Sequence, residues 1–591
     1  MPNTEDSLTD SRRKHATMAA IAAFAVVGAA YVLSFVLIPS NGFWINDNGC
    51  KFIQLQGMIR TGYKDFSIPW PGRDLDPSFS CNPLPQPFGH VVDGKLYGTY
   101  SPVFALISSV PYRVFGSIGL YVIPLLAGLL TLPGVWMLAG RLSSAPSARQ
   151  SAQPLAICIV GLATPIWFYS LTFWEHTPAA CLTTWSVFFC VRHLESRSIG
   201  RLAAAAALSA SAVYFRDELY LFGLAMTVVL IVFGKQKGRN ILVFATAFVL
   251  TLLPLWLFQW LALGHPLGHH FRTGSLLDAT LAQHLAERWS VARLLLLNVD
   301  PIVWLSLVLA LPFIVLLVLN PRLRSRTFDT AVPACAVFVS LAGSVIITRH
   351  LVTETPIWWL TGTNGLFAAS PVLLLAFLRL KSEPGDASVG PPDEFSVNSG
   401  RVIWCIVVTY IALYVLISPG AHSGGIHWGC RYLLPVFPLL GALAAKTVGE
   451  WWTSSNNTRK VGTITIALSM VFSVCLQVYS LTLLYHRKQF SAELNRVVAQ
   501  RPEKTIVASG RLGWCLPQEL AHCFYDKQFF LPRTQHAADQ LLTTLRNTGA
   551  EQVLGISSPP TPDAGRGDGI LLDDGSLNFL SVELRAVQLS E

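Results

Sequence analysis

Charged side chains are scarce in this chain of 591 residues: Asp, Glu, Lys and Arg make up 13% of it, about half the share usual for a globular protein. Cysteine is also sparse, with 11 residues and no CxxC or zinc-type spacing, which excludes a disulfide scaffold. Hydrophobic residues make up 52%. They come in blocks of about 20, long enough to cross about 30 Å of hydrocarbon. The chain is therefore predicted to be a polytopic membrane protein, and a soluble enzyme and a disordered scaffold are excluded.

The net charge of +9 comes from 43 Lys and Arg residues against 34 Asp and Glu residues. The basic residues cluster in short connectors between the apolar blocks, as the positive-inside rule describes for cytoplasmic loops. This distribution follows membrane topology, so we expect membrane lipid and no nucleic acid among the partners.

Hydropathy and loop charge predict an all-α transmembrane region of about thirteen helices that begins in the cytoplasm. Their approximate positions are 18–39, 117–139, 154–172, 177–193, 202–215, 219–234, 240–262, 299–319, 330–348, 364–380, 402–418, 432–448 and 461–484. The basic connectors then all fall on the cytoplasmic side.

A long first loop, over about 40–116, and the C-terminal segment are predicted to lie on the opposite side of the membrane. Two parts of that loop, about 49–61 and 102–115, have helical periodicity but are too short or too polar to span, and suit helices lying along the interface. The C-terminal segment contains strand and helix patterns of a small α/β domain. The predicted division is a cytoplasmic tail over 1–17, a transmembrane domain over 18–485 and an extracytoplasmic α/β domain over 486–591.

Ionisable residues at the ends of spans are costly unless they face protein or a water-filled cavity, so they are candidate site residues. Asp47 follows the outer end of the first span, where a carboxylate can accept a proton from an incoming nucleophile. An alternative is equally compatible with the residues. Asn46, Asp47, Asn48 and Gly49 are all good capping residues for a following helix.

Two short external turns carry further candidates. Glu175 and His176 lie between two apolar blocks, where the pair suits metal binding, proton relay or capping of the next span. Arg216, Asp217 and Glu218 form either a self-neutralising turn or a place where Arg216 meets a phosphate, for which guanidinium geometry is well suited.

The remaining candidates are cations and aromatic residues on the same side. Arg272 lies in a His- and Arg-rich segment that is either a headgroup site or a solvated loop, and Arg349 ends the ninth span. His427, Arg431 and Tyr432 lead into the twelfth span. Arg431 there can neutralise a leaving phosphate; alternatively it snorkels to headgroups while Tyr432 belongs to the aromatic belt.

The order of elements over about 1–485 resembles the GT-C superfamily of membrane glycosyltransferases, and is similar to the aminoarabinose transferases of lipid A and the protein O-mannosyltransferases. Arg431-Tyr432-Leu433-Leu434-Pro435 resembles the late R-Y-x-x-P element of the family. Asp47 matches its first-loop catalytic carboxylate, and Glu175 lies where the family often has another acid.

The chain also departs from both groups. Asn46-Asp47-Asn48 supplies one acid where the O-mannosyltransferases have an Asp-Glu pair. Tyr100-Ser101-Pro102 stands near the position of a Lys-Pro-Pro stretch in the aminoarabinose transferases, without the lysine.

The resemblance implies transfer of a monosaccharide from a polyprenyl-phosphate donor to a hydroxyl of a glycan, lipid or protein acceptor. Asp47 would be the general base of an inverting displacement, with Glu175 as a second catalytic residue and a divalent ion left open as a cofactor. The implied donor-phosphate residues are Arg216, Arg272, Arg349, Arg431 and Tyr432. The implied acceptor-side or supporting residues are His176, Asp217, Glu218 and His427.

Two other functions compete with this interpretation. A ligase or polymerase of lipid-linked glycans shares the architecture but moves an oligosaccharide. A transporter or flippase predicts ionisable residues near span centres and broken helices in corresponding halves, whereas the charges here collect at outer span ends. The absence of an ER-retention tail favours a bacterial inner membrane, with the active site facing the periplasm.

Overall fold

The computed structural model describes most of the chain and divides it into two compact units. The described residues are 4–143, 145–268, 281–297, 365–377, 398–418, 427–453, 456–510, 513–557, 570–573 and 581–589. One unit, here called the helical unit, contains Met1–Val36, Pro124–Pro254 and Leu276–Leu481. The other, here called the α/β unit, contains Leu37–Ile123, Leu255–Ser275 and Thr482–Glu591.

Helices dominate the described residues, as the long apolar blocks predict. They are α1 Thr4–Leu37, α2 Asn46–Arg60, α3 Pro102–Phe115, α4 Val122–Leu142, α5 Pro146–Leu162, α6 Ile166–Ser170, α7 His176–Ser196, α8 Ile199–Val213, α9 Tyr220–Phe233, α10 Lys237–Leu263, α11 Leu281–Leu297, α12 Leu366–Ala369, α13 Ser399–Ile417, α14 Val436–Thr453, α15 Asn456–Gln500, α16 Leu516–Glu519 and α17 Gln535–Asn547.

Five stretches of helix in the described part of the chain are long and apolar enough to cross a membrane, so the chain is a multi-pass membrane protein. They are Thr17–Leu37, Pro102–Leu142, Lys237–Leu263, Ser399–Ile417 and Ser469–Gln500. The count of thirteen spans is not confirmed. α8 and α9, for example, have only 15 and 14 residues, and the predicted spans 299–319 and 330–348 lie outside the described residues.

Small residues let the helices of the helical unit approach closely. On α14, Gly441 packs on Val160 of α5, and a Cβ at Gly449 would overlap the backbone oxygen of Ala148. On α8, a run of alanines packs on α7, where the Ser186 hydroxyl donates to the carbonyl of Ala205 at 2.7 Å. The short polar connectors between these helices bring their ends together.

The α/β unit contains the helix α2 and two sheets. β1 (Gly89–Val92) and β2 (Lys95–Gly98) form an antiparallel hairpin within the first loop. The larger sheet comprises β3 Thr505–Ser509, β4 Gln528–Phe530, β5 Gln552–Ser557, β6 Ile570–Asp573 and β7 Ser581–Gln588. Its strand order is β4-β3-β5-β7-β6, with β3 parallel to β4 and β5, and β7 antiparallel to β5 and β6.

Several predicted elements of the α/β unit are present. The helices α2 and α3 occur close to the predicted 49–61 and 102–115, and the C-terminal segment contains strands and the helix α17. The helix that contains the predicted span 461–484 continues to Gln500, because no Gly or Pro interrupts it before Pro502. The extracytoplasmic domain over 486–591 stays a prediction.

A buried ion pair fixes the end of that long helix within the α/β unit. Arg487 donates from Nη1 and Nη2 to the two carboxylate oxygens of Glu519, at 3.0 and 2.5 Å. Asn495, two turns further along α15, donates to the backbone oxygen of the same Glu519. The last turns of α15 are therefore held against α16 by specific polar contacts.

Candidate functional site

Glu175, Arg216 and Glu218 form a buried ion-pair cluster in the helical unit. Arg216 Nη1 donates to Glu175 Oε1 at 2.9 Å, and Arg216 Nε donates to Glu218 Oε1 at 2.8 Å. Glu175 is 2% exposed and Arg216 is 8% exposed. One guanidinium thus bridges two carboxylates that are 43 positions apart in the sequence, and ties the start of α7 to the connector between α8 and α9.

This geometry bears on the alternatives for both turns. Glu175 occupies the N-cap position of α7, but its side chain makes no capping hydrogen bond. Capping therefore does not account for Glu175, because its carboxylate is directed at Arg216. For Arg216, the contacts favour the self-neutralising turn, since two carboxylates already surround the guanidinium. Asp217 is the first residue of a short 3₁₀ segment, Asp217–Leu219, and is partly exposed.

Arg431 lies between two aromatic rings in the same unit. Its guanidinium carbon is 4.7 Å from the ring centroid of Trp174 and 5.0 Å from that of Tyr432. Its Nη2 donates to the Tyr432 hydroxyl at 3.1 Å, and the residue is 5% exposed. A planar guanidinium stacked in this way keeps a fixed orientation, which suits recognition of a phosphate.

The sequence around Arg431 explains how the side chain is held. Gly429 has a φ of 61°, and a Cβ there would overlap Pro165, so only glycine fits this tight approach. Next to it, Trp428 Nε1 donates to Gln477 Oε1 at 3.0 Å. On the other side, Tyr410 of α13 donates its hydroxyl to the backbone oxygen of Tyr432 at 2.9 Å.

His176 and His427 are both buried close to these aromatic residues. His176 packs edge-to-face on Trp174 with ring centroids 4.9 Å apart. His427 Nδ1 is 2.8 Å from the Gly429 carbonyl, which can only accept, so Nδ1 carries the proton. Of the two predicted supporting histidines, His427 therefore lies in the turn that leads to Arg431, and His176 is the first residue of α7.

The described residues do not fit a divalent metal ion. In the described part of the chain, no group of three or more His, Cys, Asp or Glu side chains is placed to hold one. Beside Glu175 and Glu218, the position that a metal would occupy is taken by the Arg216 guanidinium. We therefore derive no step through a metal.

Asp47 belongs to a second polar cluster, in the α/β unit. Asp47 is 4% exposed and lies in the first turn of α2, where the Tyr100 hydroxyl donates to its Oδ1 at 2.6 Å. Lys51, one turn further along α2, is buried with its Nζ 3.7 Å from the Tyr100 ring centroid. The carboxylate of Asp47 and the ammonium group of Lys51 thus lie on one face of α2, and the phenol of Tyr100 packs against that face.

The contacts of this turn weigh against a purely capping role for Asp47. The N-cap residue of α2 is Ile45, whose apolar side chain makes no capping bond, and its backbone N–H is 3.3 Å from Asn48 Oδ1. Gly49 has a separate role, because a Cβ there would overlap the carbonyl oxygen of Gln518. Within the Asn-Asp-Asn-Gly run, Asn48 thus bonds at the helix start, Asp47 bonds to Tyr100, and Gly49 allows close packing.

Two predicted phosphate-binding residues, Arg272 and Arg349, lie outside the described residues. The structure brings Glu175, Arg216 and Glu218 together in the helical unit, and Arg431 with Tyr432. Sequence reasoning missed Lys51 and Trp174, and it noted Tyr100 only as a departure from a lysine. The four-residue spacing of Asp47 and Lys51 was a signal that could have paired them on one helix face.

Comparisons with known proteins give structural likeness only. No protein-family model matches the chain, and no curated protein matches its sequence. The chain is similar to the solved structure of ArnT from Cupriavidus metallidurans bound to undecaprenyl phosphate, with 14% identity over 96% of this chain and 97% of that one, and a TM-score of 0.47. It is also similar to the apo oligosaccharyltransferase of Archaeoglobus fulgidus, with 11% identity over 90% of this chain and 69% of that one, and a TM-score of 0.44.

Proposed function

We propose that this protein is an integral membrane glycosyltransferase that moves a monosaccharide from a polyprenyl-phosphate donor to an acceptor hydroxyl. The observation that carries the proposal is the buried Asp47 carboxylate, held by the Tyr100 hydroxyl in the first turn of an interface helix. It stands in the sequence where the family that the chain resembles has its first-loop catalytic acid. A base at that point needs a fixed orientation toward an incoming hydroxyl, which a short hydrogen bond supplies.

Asp47 acts as general base in a single displacement. Its carboxylate takes the proton of the acceptor hydroxyl while the hydroxyl oxygen forms a bond to the anomeric carbon of the donor. The bond from that carbon to the phosphate oxygen breaks, and the electron pair leaves with the polyprenyl phosphate. Because one displacement occurs, the configuration at the anomeric carbon inverts.

Arg431 is the residue that we assign to the leaving phosphate. Its guanidinium is buried and stacked between Trp174 and Tyr432, and its planar donor set matches phosphate oxygens. Preorganised donors of this kind stabilise charge that develops on a leaving group. Tyr432 adds a hydroxyl on the same side, and His427 supports the turn that presents both.

Of the two roles that the sequence leaves open for Arg216, we assign the self-neutralising turn. With Glu175 on one side and Glu218 on the other, it holds the turn before α7 in place, and Trp174, next to Glu175, carries the face on which Arg431 stacks. Glu175 and Arg216 are therefore assigned as positioning residues. Arg272 and Arg349 stay candidates for the donor phosphate.

The membrane face follows from the predicted topology. The first loop and the R-Y-L-L-P element both lie on the side opposite the basic connectors, which is the extracytoplasmic side under the positive-inside rule. We therefore place the transfer at the outer face of a bacterial inner membrane, where a lipid-linked donor enters from the bilayer.

The test is sugar transfer in proteoliposomes that contain the purified protein and a panel of radiolabelled polyprenyl-phosphate monosaccharides. Transfer of one labelled sugar to an acceptor, with polyprenyl phosphate as the second product, supports the proposal. Transfer that requires an oligosaccharide donor instead identifies a ligase or polymerase. Movement of the labelled lipid between leaflets without transfer contradicts the proposal and identifies a flippase.

A further inference from the structure

A basic pocket lies in the helical unit where α7 ends, α8 begins and α9 is followed by α10. Its wall includes His193, Arg197, Lys235 and Arg239. None of these four residues takes part in the proposed transfer reaction. The pocket is therefore a second place on the molecule where positive charge is concentrated.

The pocket lies at the far ends of the helices that carry the Glu175–Arg216–Glu218 cluster. α7 starts at that cluster with His176 and is 21 residues, about 32 Å, long; His193 lies in its last turn and Arg197 follows it. α8 runs back from the pocket toward the cluster, and α9 runs from the cluster to the pocket. The predicted topology places the two on opposite membrane faces, because Arg197, Lys235 and Arg239 belong to the basic connectors.

The charge of the wall favours an anion. Arg197, Lys235 and Arg239 are all exposed cations, and no acidic residue is among the described residues that line the pocket. The nearest acid in sequence, Glu195, is 2.9 Å from Arg192 and 3.7 Å from Arg141, so other arginines neutralise it. The described lining of the pocket thus carries three cations and no carboxylate.

The backbone at Arg197 supplies a second observation. Arg197 is the C-cap residue of α7 and has a φ of 56°, a left-handed conformation that glycine adopts without strain. A long cationic side chain at this position is unusual and is retained at a cost in backbone energy. The adjacent N-cap residue of α8, Ser198, makes no side-chain capping bond, so α8 begins without a side-chain cap of its own beside the pocket.

An apolar side of the same pocket indicates what kind of anion fits. Leu194, Ile199 and Phe233 line it together with the cations. Ile199 exposes 41% of its surface, as expected of a residue that faces lipid in a membrane protein. A ligand with a phosphate on one end and a hydrocarbon chain on the other satisfies both sides of the wall.

We propose that this pocket binds the phosphate group of an anionic membrane phospholipid, on the membrane face opposite the Glu175–Arg216–Glu218 cluster. Arg197, Lys235 and Arg239 contact the phosphate oxygens, and the acyl chain lies along Ile199 and Phe233. A soluble phosphate offers the same charge but leaves the apolar wall uncovered. This inference does not depend on sugar transfer, and the two can fail separately.

The experiment is native mass spectrometry of the full-length protein released from nanodiscs of phosphatidylglycerol or of phosphatidylcholine. We expect the wild type to retain phosphatidylglycerol and to lose phosphatidylcholine. A triple variant, Arg197→Gln, Lys235→Gln and Arg239→Gln, should retain about 100-fold less, because each cation near an anionic headgroup contributes about fivefold. A matched variant with the same charge loss outside the pocket, Arg149→Gln, Arg401→Gln and Lys446→Gln, should retain the lipid like the wild type.

A single variant distinguishes a loss of lipid binding from a loss of folding. Arg197→Gly removes one cation at a backbone position that glycine favours, so it should fold at least as well as the wild type and retain about fivefold less lipid. Equal retention by the wild type, the triple variant and Arg197→Gly overturns the proposal. Binding of inorganic phosphate that displaces the lipid at equal affinity overturns the lipid assignment and leaves a soluble-phosphate site.

Discussion

The hydroxyl of Tyr100 donates a hydrogen bond to Asp47 Oδ1 at 2.6 Å, across 53 positions of the chain. It fixes the orientation of the carboxylate that we assign as general base, and Lys51 packs on the other side of the same phenol. Asp47 and Lys51 share a face of α2, and Tyr100 lies two residues before the start of α3. The base therefore depends on two helices of the first loop.

Tyr100→Phe should reduce turnover without weakening donor binding. A hydrogen bond to a charged group contributes about 1.5–3 kcal/mol, so we expect kcat to fall about 10- to 100-fold while the KM for the donor stays within about twofold. Steady-state kinetics in proteoliposomes measure both. Tyr97→Phe in the adjacent strand is the matched control and should behave like the wild type. A rise in KM with unchanged kcat would mean that Tyr100 contacts the donor and does not position Asp47.

Arg216→Gln should destabilise the protein strongly. The change leaves Glu175 and Glu218 buried with their shared cation removed, and breaking a buried ion pair from one side costs about 3–5 kcal/mol. Thermal unfolding of the purified protein in detergent measures the loss. As a control, Arg192→Gln breaks the more exposed Arg192–Glu195 pair and should cost about 0–1 kcal/mol. Equal, small effects of both variants would show that the Arg216 cluster is not what holds the turn.

Arg431→Lys should impair the donor step although it keeps the positive charge. Lysine lacks the planar guanidinium that stacks on Trp174 and Tyr432 and that offers paired donors to a phosphate. We expect kcat/KM for the lipid donor to fall about tenfold or more, with normal folding by circular dichroism. Arg401→Lys, at the exposed start of α13, should leave it unchanged. Full activity of Arg431→Lys would restrict Arg431 to a charge role such as headgroup contact.

His522 should make the protein less stable in mild acid. Its ring stacks on Phe43 and packs at a tilt on Phe52, with centroids 5.1 and 4.6 Å away, and burial lowers the pKa of its imidazole from 6.5 to about 4. Between these two values the unfolded chain binds a proton that the folded chain does not. Folding stability is therefore full above about pH 6.5 and falls by up to about 3 kcal/mol as the pH drops toward 4.

The variant His522→Phe removes this proton and keeps an aromatic ring between Phe43 and Phe52. Thermal unfolding near pH 5 should then show a higher Tm than the wild type, whereas the difference near pH 7 should be small. His536→Gln, at an exposed position of α17, is the control and should follow the wild type at both pH values. An unchanged acid sensitivity in His522→Phe would assign it to other groups.

The sequence allowed the candidate acid to be found but not its partner. Asp47 stands out because it follows a long apolar block, and the pattern of the chain alone marks it. Tyr100 is 53 residues away and Glu175 is 41 residues from Arg216, and no local pattern encodes such contacts. Only the packing of helices decides whether an acid at a helix start caps that helix or faces an arginine.

The helices themselves were predicted better than their ends. Apolar periodicity located α7, α10 and the apolar part of α1, Thr17–Leu37, within a few residues, because a membrane requires long uncharged segments. The same pattern could not show that α15 continues to Gln500, since its last turns are amphipathic and packed on protein through Arg487. It also missed β6 and β7, whose short strands carry weaker signals than long helices.

Single-turnover transfer by Asp47→Asn tests the central claim most directly. The wild type, Asp47→Asn and Asp74→Asn, an exposed acid of the same loop, are loaded with one labelled polyprenyl-phosphate sugar and mixed with acceptor. Because asparagine keeps the shape but cannot take the proton, we predict a fall of about 10²- to 10⁴-fold in the transfer rate for Asp47→Asn alone, with donor binding retained. Transfer by Asp47→Asn at the wild-type rate would contradict the account, reduce Asp47 to part of a helix start and direct the search for the base to Glu175 and Asp217.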